Sequence, residues 1–280
     1  KSYGDGDLVE TARSIQQTAD GGYIMGGMRG LTAFWALKLY ADGNVEWQKI
    51  YNPGGMMNHF GSIEQTSDGG YVLAGEGRNG SYNQACVLKL NADGTIGWQK
   101  AYGGQYIDGA RSIQQTEDDG YIVAGFTRSF DTIPQTGQGS ADVWIFKLNA
   151  DGSIAWEQAY GDTNTEASLY MEEAFSVEQT TDADGIVNGY IMAGFTEFFG
   201  DAWRNFPDYW VLKVDVNGQI PGCSAMGSSS ALITDLSVYS EDTTNSPVET
   251  GIIHFDTNVS ALGTSEVTST ICSVDLVSDA

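Results

Sequence analysis

The chain reads as all-β, a β-propeller of four recognisable four-stranded blades with the last one incomplete, followed by a C-terminal β-rich unit. Three observations predict this. One phrase recurs four times, as Ser14-Ile-Gln-Gln-Thr18, Ser62-Ile-Glu-Gln-Thr66, Ser112-Ile-Gln-Gln-Thr116 and Ser176-Val-Glu-Gln-Thr180. Each copy leads into a Gly-Tyr pair, and Tyr23, Tyr71, Tyr121 and Tyr190 set a repeat of about 50 residues, enlarged by insertions in the fourth. The composition agrees: 36 Gly, 5 Pro and 11% aromatic residues in 280 suit short strands joined by tight turns.

The elements follow in order. Strand A spans Ala12 to Thr18 and ends at a turn held by Asp20. Strand B spans Gly22 to Met28, where the small pairs Gly26-Gly27, Ala74-Gly75, Ala124-Gly125 and Ala193-Gly194 predict close approach of adjacent sheets. Strand C spans Phe34 to Tyr40 and carries one column of Trp35, Cys86, Trp144 and Trp210, expected in the core, and a second of Lys38, Lys89, Lys147 and Lys213. The lysines are expected to meet Gln16, Glu64, Gln114 or Glu178 between blades. An Asp-Gly or Asn-Gly turn then leads into strand D, Asn44 to Tyr51, with Trp47, Trp98 or Trp156. A lone sheet of this size cannot bury both faces, so the units must stack about an axis.

In this wording the repeat resembles a family of secreted bacterial and archaeal propeller repeats, whose unit reads S-I-Q-Q-T-x-D-G-G-Y-I-V-A-G and then K-L-N-x-D-G-x-I-x-W-Q-K-x-Y-G-G. The resemblance covers residues 1 to about 220. It implies a building block of extracellular or surface proteins and no shared catalytic residues. The last 60 or so residues lie outside it.

Both ends of the array are incomplete. Lys1, Ser2, Tyr3 and Gly4 match Lys100-Ala-Tyr-Gly103 at the end of a strand D, whereas the fourth repeat is diverted after Ile220 by Pro221-Gly222-Cys223. The missing strand is expected from Lys1–Gly4, either of the same chain or, by β-augmentation, of another copy. Residues 1–222 thus form the repeat domain and residues 223–280 a C-terminal module. The module holds three strand-like runs, 231–240, 251–257 and 266–274, which the sequence leaves open as a fifth blade or a separate unit.

Composition narrows the partners. Lys and Arg number 13 against 37 Asp and Glu, and the net charge of −24 repels nucleic acid and anionic membrane surfaces. No apolar run reaches the length of a spanning helix, and a chain opening on Lys1 is expected to be secreted, its leader removed. In that compartment Cys223 and Cys272, which bracket the module, are expected to form a disulfide, while Cys86 remains a buried free thiol.

Catalytic chemistry finds little support. The two histidines, His59 and His254, sit in no nucleophile motif, and the recurring Asp20, Asp68, Asp118, Asp42, Asp93 and Asp151 read as turn formers. No cofactor is expected beyond a weak Ca²⁺ candidate at Asp182 and Asp184, which lacks the full calcium-loop pattern. The long loops 127–140, 161–173 and 196–208 fall on one face and carry Phe130, Tyr170, Met171, Phe198, Phe199, Trp203, Arg204 and Phe206. Aromatic loops of that density point to a protein interface or a ligand groove. The expectation is a non-enzymatic extracellular structural protein that assembles with copies of itself into a surface layer, tube or filament by strand or loop exchange. The alternative is a soluble module binding a glycan or other ligand on Trp203 and Phe206.

Overall fold

A computed structural model describes residues 1–4, 8–52, 59–79, 81–129, 141–161, 171–197, 207–221, 232–235 and 239–242. The first blade holds β1 (Glu10–Gln17), β2 (Tyr23–Arg29), β3 (Ala33–Leu39) and β4 (Val45–Asn52). The second holds β5 (Phe60–Gln65), β6 (Tyr71–Asn79), β7 (Tyr82–Leu90) and β8 (Ile96–Gly103), and the third β9 (Asp108–Gln115), β10 (Tyr121–Thr127), β11 (Asp142–Leu148) and β12 (Ile154–Tyr160). The fourth has only β13 (Glu172–Thr181), β14 (Val187–Thr196) and β15 (Asp208–Val214). All four are antiparallel meanders in chain order, so the all-β reading and the incomplete last blade both hold. Among the described residues no helix is long and apolar enough to cross a membrane.

The turns are built as their composition dictates. Thr18 Oγ1 donates to Asp20 Oδ1 at 2.5 Å and the Gly22 N–H to the same oxygen at 2.9 Å, and the pattern repeats at Asp68 and Asp118. In the C–D hairpins Asp42, Asp93, Asp151 and Asp215 each accept the N–H two residues on, which is the Asx turn.

The lysine column has a different role from the one expected. Lys38, Lys89 and Lys147 reach Asp20, Asp68 and Asp118 of their own blade at 2.7–2.9 Å, and Lys213 reaches Thr180 and Asn188. They do not meet the Gln/Glu column, because that column points at the next blade. Gln65 N–H donates to Gln16 Oε1 at 2.6 Å, Gln115 N–H to Glu64 Oε1, and Gln179 N–H to Gln114 Oε1 at 2.6 Å. One step inward, Ser14, Ser62 and Ser112 accept from the N–H of Ile63, Ile113 and Val177. The second glutamine points back: Gln65, Gln115 and Gln179 accept from Ala19, Ser67 and Glu117 of the preceding blade. The recurring Ser-Ile-Gln-Gln phrase is therefore a side-chain ladder that satisfies the free edge of strand A in blades two, three and four.

Apolar cores lie between blades. The first joins Ile24, Phe34 and Tyr51 to Ile63, Leu73, Cys86 and Leu88; equivalent cores join blades two and three, and three and four. The Trp column is buried as expected at Trp35 and Trp144, and Cys86 occupies its place in blade two as a buried free thiol, pushed up by burial. Strand D latches the outside. Tyr51, Tyr102 and Tyr160 donate to the carbonyls of Gly94, Gly152 and Gly218 in the next blade's C–D turn.

The small pairs in strand B have two causes rather than one. The first member faces the next blade, and a Cβ on Gly26 would stand 2.2 Å from Phe60. The second lies under a β-bulge in its own strand A, where a Cβ on Gly27, Gly125 or Gly194 would meet a backbone carbonyl at 2.0 Å or less.

The C-terminal segment departs from the expected pattern. Within the run 231–240 and just beyond it, residues 232–235 form β16 (Leu232–Asp235), paired to β8, and residues 239–242 form β17 (Tyr239–Asp242), paired to β4. These cover the outer edges of blades two and one, which are thereby five-stranded. Runs 251–257 and 266–274 lie outside the described residues.

Candidate functional site

Arg111 projects from the bulge of β9, reaches Glu76 of blade two at 2.5 Å, pairs with Glu173 of blade four, and lies 5.0 Å from the centre of the Phe126 ring. Burial raises Glu173, and the guanidinium opposes that rise. One cation thus ties three blades together, and it holds both carboxylates as a structural pair. Asp108 is raised by burial, yet it accepts from Thr127 Oγ1, Ser129 Oγ and the Gly104 and Arg128 N–H groups. Its role is to staple a loop corner.

The calcium candidate is occupied by its own turn. Asp182 Oδ1 accepts the N–H groups of Asp184 and Ile186 at 3.0 and 2.9 Å. Among the described residues no group of three His, Cys, Asp or Glu side chains is arranged to hold a metal. Cys223 and Cys272, and the loop residues Phe130, Tyr170, Phe198, Phe199, Trp203, Arg204 and Phe206, lie outside the described residues. Met171 pairs as an isolated bridge with Ala141.

The terminal faces of the array stand out. Strand A of blades two and three is largely covered by its neighbour, whereas β1 is exposed along most of its length. Ile15 is 63% exposed, against 2% for Ile63 and 3% for Ile113 at the same position. At the other end Val211 is 63% exposed where Val87 and Ile145 are at 0%, and Tyr209 is fully exposed. Ser176 and Glu178, the last rungs of the ladder, have no partner among the described residues.

The predicted exchange segment lies at the first of these faces. Tyr3 donates to the Gly43 carbonyl at 2.7 Å, and Lys1 reaches Asp42 and Asn44. This is the latch that Tyr51, Tyr102 and Tyr160 make, so Lys1–Gly4 occupies the strand D position of a blade preceding the first. Among the described residues the fourth sheet ends at β15. Beside Tyr3 a cleft of about 200 Å³ opens among Met25, Gly26, Gly27, Trp35 and Leu37. The Trp35 indole N–H is buried there with no partner among the described residues. The Lys-x-Tyr-Gly match locates the segment in the sequence but not the cleft, because Met25, Gly27, Trp35 and Leu37 occupy ordinary repeat columns.

These features define an array of propeller-type blades in which, among the described residues, Ile15 at one end and Tyr209 and Val211 at the other are exposed. No family model matches the chain, and no curated protein matches it. Among solved structures it is similar to a candidate exo-β-1,3-galactanase from Bifidobacterium bifidum s17, at 12% identity and a TM-score of 0.43, over 78% of this chain and 74% of that one. A likeness at that level bears on neither activity nor ligand.

Proposed function

We propose that this protein is a non-enzymatic extracellular structural subunit that assembles with copies of itself into a layer, tube or filament. One observation carries the reading: at each end of the array a side chain that is buried between blades elsewhere is exposed, Ile15 at 63% against 2% for Ile63, and Val211 at 63% against 0% for Val87. Uncovered apolar sheet faces and an unfinished edge favour association. Two non-equivalent faces on one chain make the contact heterologous, and such contacts propagate into filaments or close into rings. The test is light scattering and electron microscopy of the native protein over a wide concentration range. Concentration-dependent growth into long particles is expected, and a strict monomer throughout would overturn the reading.

A further inference from the structure

We infer that the outer edge of β12, in the third blade, receives an extended strand from a second copy, supplied by that copy's Leu276-Val277-Ser278-Asp279 segment. This rests on the assembly reading above and names its contact. The chain itself shows what such an edge accepts. β16 pairs antiparallel with β8, setting Leu232 opposite Gly103, Ile233 opposite Tyr102, Thr234 opposite Ala101 and Asp235 opposite Lys100. β17 pairs with β4 in the same register, from Tyr239 opposite Asn52 to Asp242 opposite Lys49. Each incoming strand is four residues long, opens on a large apolar or aromatic residue and closes on aspartate.

β12 presents the same edge with no strand on it among the described residues. Its end reads Gln158-Ala159-Tyr160-Gly161 where β8 reads Lys100-Ala101-Tyr102-Gly103, and the two tyrosines hold one register against strand C, Tyr160 opposite Val143 and Tyr102 opposite Ala85. Coverage differs between them. Ala101, in the strand that β16 joins, is at 0% exposure, whereas Ala159 is only half-buried. The Gln158 Oε1 is buried with no hydrogen-bond partner among the described residues, an acceptor that a donor on an incoming strand would satisfy. The sequence holds a second segment of the β16 kind: Leu276-Val277-Ser278-Asp279 matches Leu232-Ile233-Thr234-Asp235 by identity at both ends and by like side chains between. In the β16 register it sets Val277 opposite Tyr160, Ser278 opposite Ala159 and Asp279 opposite Gln158. A strand that fits β8 fits β12 by the same backbone pairing. The single chain covers β8 and β4 with its own strands and leaves β12 bare, which reserves that edge for another molecule. One donor segment and one receiving edge per chain make the contact heterologous, as propagation requires.

The experiment alters donor and edge separately in the full chain. Val277→Pro removes a backbone N–H from the donor. Gln158→Glu sets a carboxylate opposite Asp279, and Gln158→Lys recreates the Lys-to-Asp register of the β8 and β4 edges; each shifts a net charge of −24 by one. Lysine stands at this place in blades one and two, so the lysine variant is expected to fold, and melting temperatures check the others. Sedimentation velocity should show long particles for the wild type and monomers for Val277→Pro, with the concentration needed for assembly raised about fivefold by Gln158→Glu and lowered about as much by Gln158→Lys. Mixing Ala159→Cys chains with Ser278→Cys chains under mild oxidation should add a covalent dimer that is missing when wild type replaces either variant. If the wild type assembles and Val277→Pro does so equally, the contact is wrong while the assembly reading survives. A wild type that stays monomeric overturns both. A chain carrying both cysteines that cross-links only within itself assigns the strand to its own molecule and overturns the contact between copies.

Discussion

At the residue scale, Glu64 shows how one position in a repeat takes on a private chemistry. Its counterparts Gln16 and Gln114 are neutral amides that accept the same kind of inter-blade N–H. Burial pushes the Glu64 carboxyl up to about 7 from its ordinary 4.5, opposed in part by the Gln115 N–H. The folded state therefore binds a proton that the unfolded state releases between pH 4.5 and 7. Stability from this group is full below pH 4.5, falls as pH rises through that window, and is flat above it. Allowing for its partly exposed rim, the loss is about 2 kcal/mol. Glu64→Gln keeps the acceptor and removes the titration, so the melting temperature at pH 8 is expected to rise by several degrees while that at pH 4 stays put. A variant that loses stability equally at both pH values would show that the charge itself is needed.

The turn aspartates behave oppositely. Asp68 is lowered to about 2; burial opposes this, and Lys89, Thr66 and the Gly70 N–H together outweigh it. Its contribution is present above the ordinary pKa and is lost as pH falls through 4 towards 2. Asp68→Ala removes a turn acceptor and strands the buried Lys89 ammonium. Discounted for the exposure of the carboxylate, the expected cost is about 2 kcal/mol by thermal melts at pH 7, vanishing near pH 2. An equal cost at both pH values would assign it to the turn backbone alone.

At the element scale, the blade was legible and its orientation was not. The Ser-Ile-Gln-Gln-Thr phrase, the Asp-Gly turns and the Gly-Tyr pairs are local signals, and every described strand of blades one to four falls within a few residues of its expected limits. A single sequence shows that a column recurs, but it does not show which neighbour the column faces. Pattern alone therefore pairs Lys38 with Gln16, whereas strand geometry sends one to its own turn and the other across to the next blade. The role of the second glycine of strand B is hidden for the same reason, because a bulge carries no residue signature of its own. The core column was safer, since Trp35, Cys86 and Trp144 are all apolar and all buried. Trp144 is fully buried between blades two and three, its ring 4.3 Å from that of Phe146. Trp144→Ala should cost about 3–5 kcal/mol in chemical denaturation, and an unchanged midpoint would remove this column from the core.

At the scale of the whole molecule, what the sequence hid is where the chain stops repeating. Residues 223–280 hold no copy of the phrase, and no local pattern reveals that 232–235 and 239–242 travel back to the outer edges of two earlier blades. By that route β16 and β17 close the edges of β8 and β4, while among the described residues β12 and β15 have no strand beyond them. The end faces are mostly apolar and amide-bearing rather than oppositely charged, and each chain carries −24. The proposed assembly would then proceed against repulsion, with backbone pairing and apolar burial as the driving terms. At low ionic strength the Debye length is roughly 30 Å and the chains repel over most of their approach; at physiological salt it shrinks to about 8 Å. Raising salt from 10 to 150 mM, two conditions set by those screening lengths, should therefore lengthen the particles seen by light scattering. Particles that shorten as salt rises would mean that ion pairs hold the copies together, and the backbone-and-apolar account of the proposed assembly would fall.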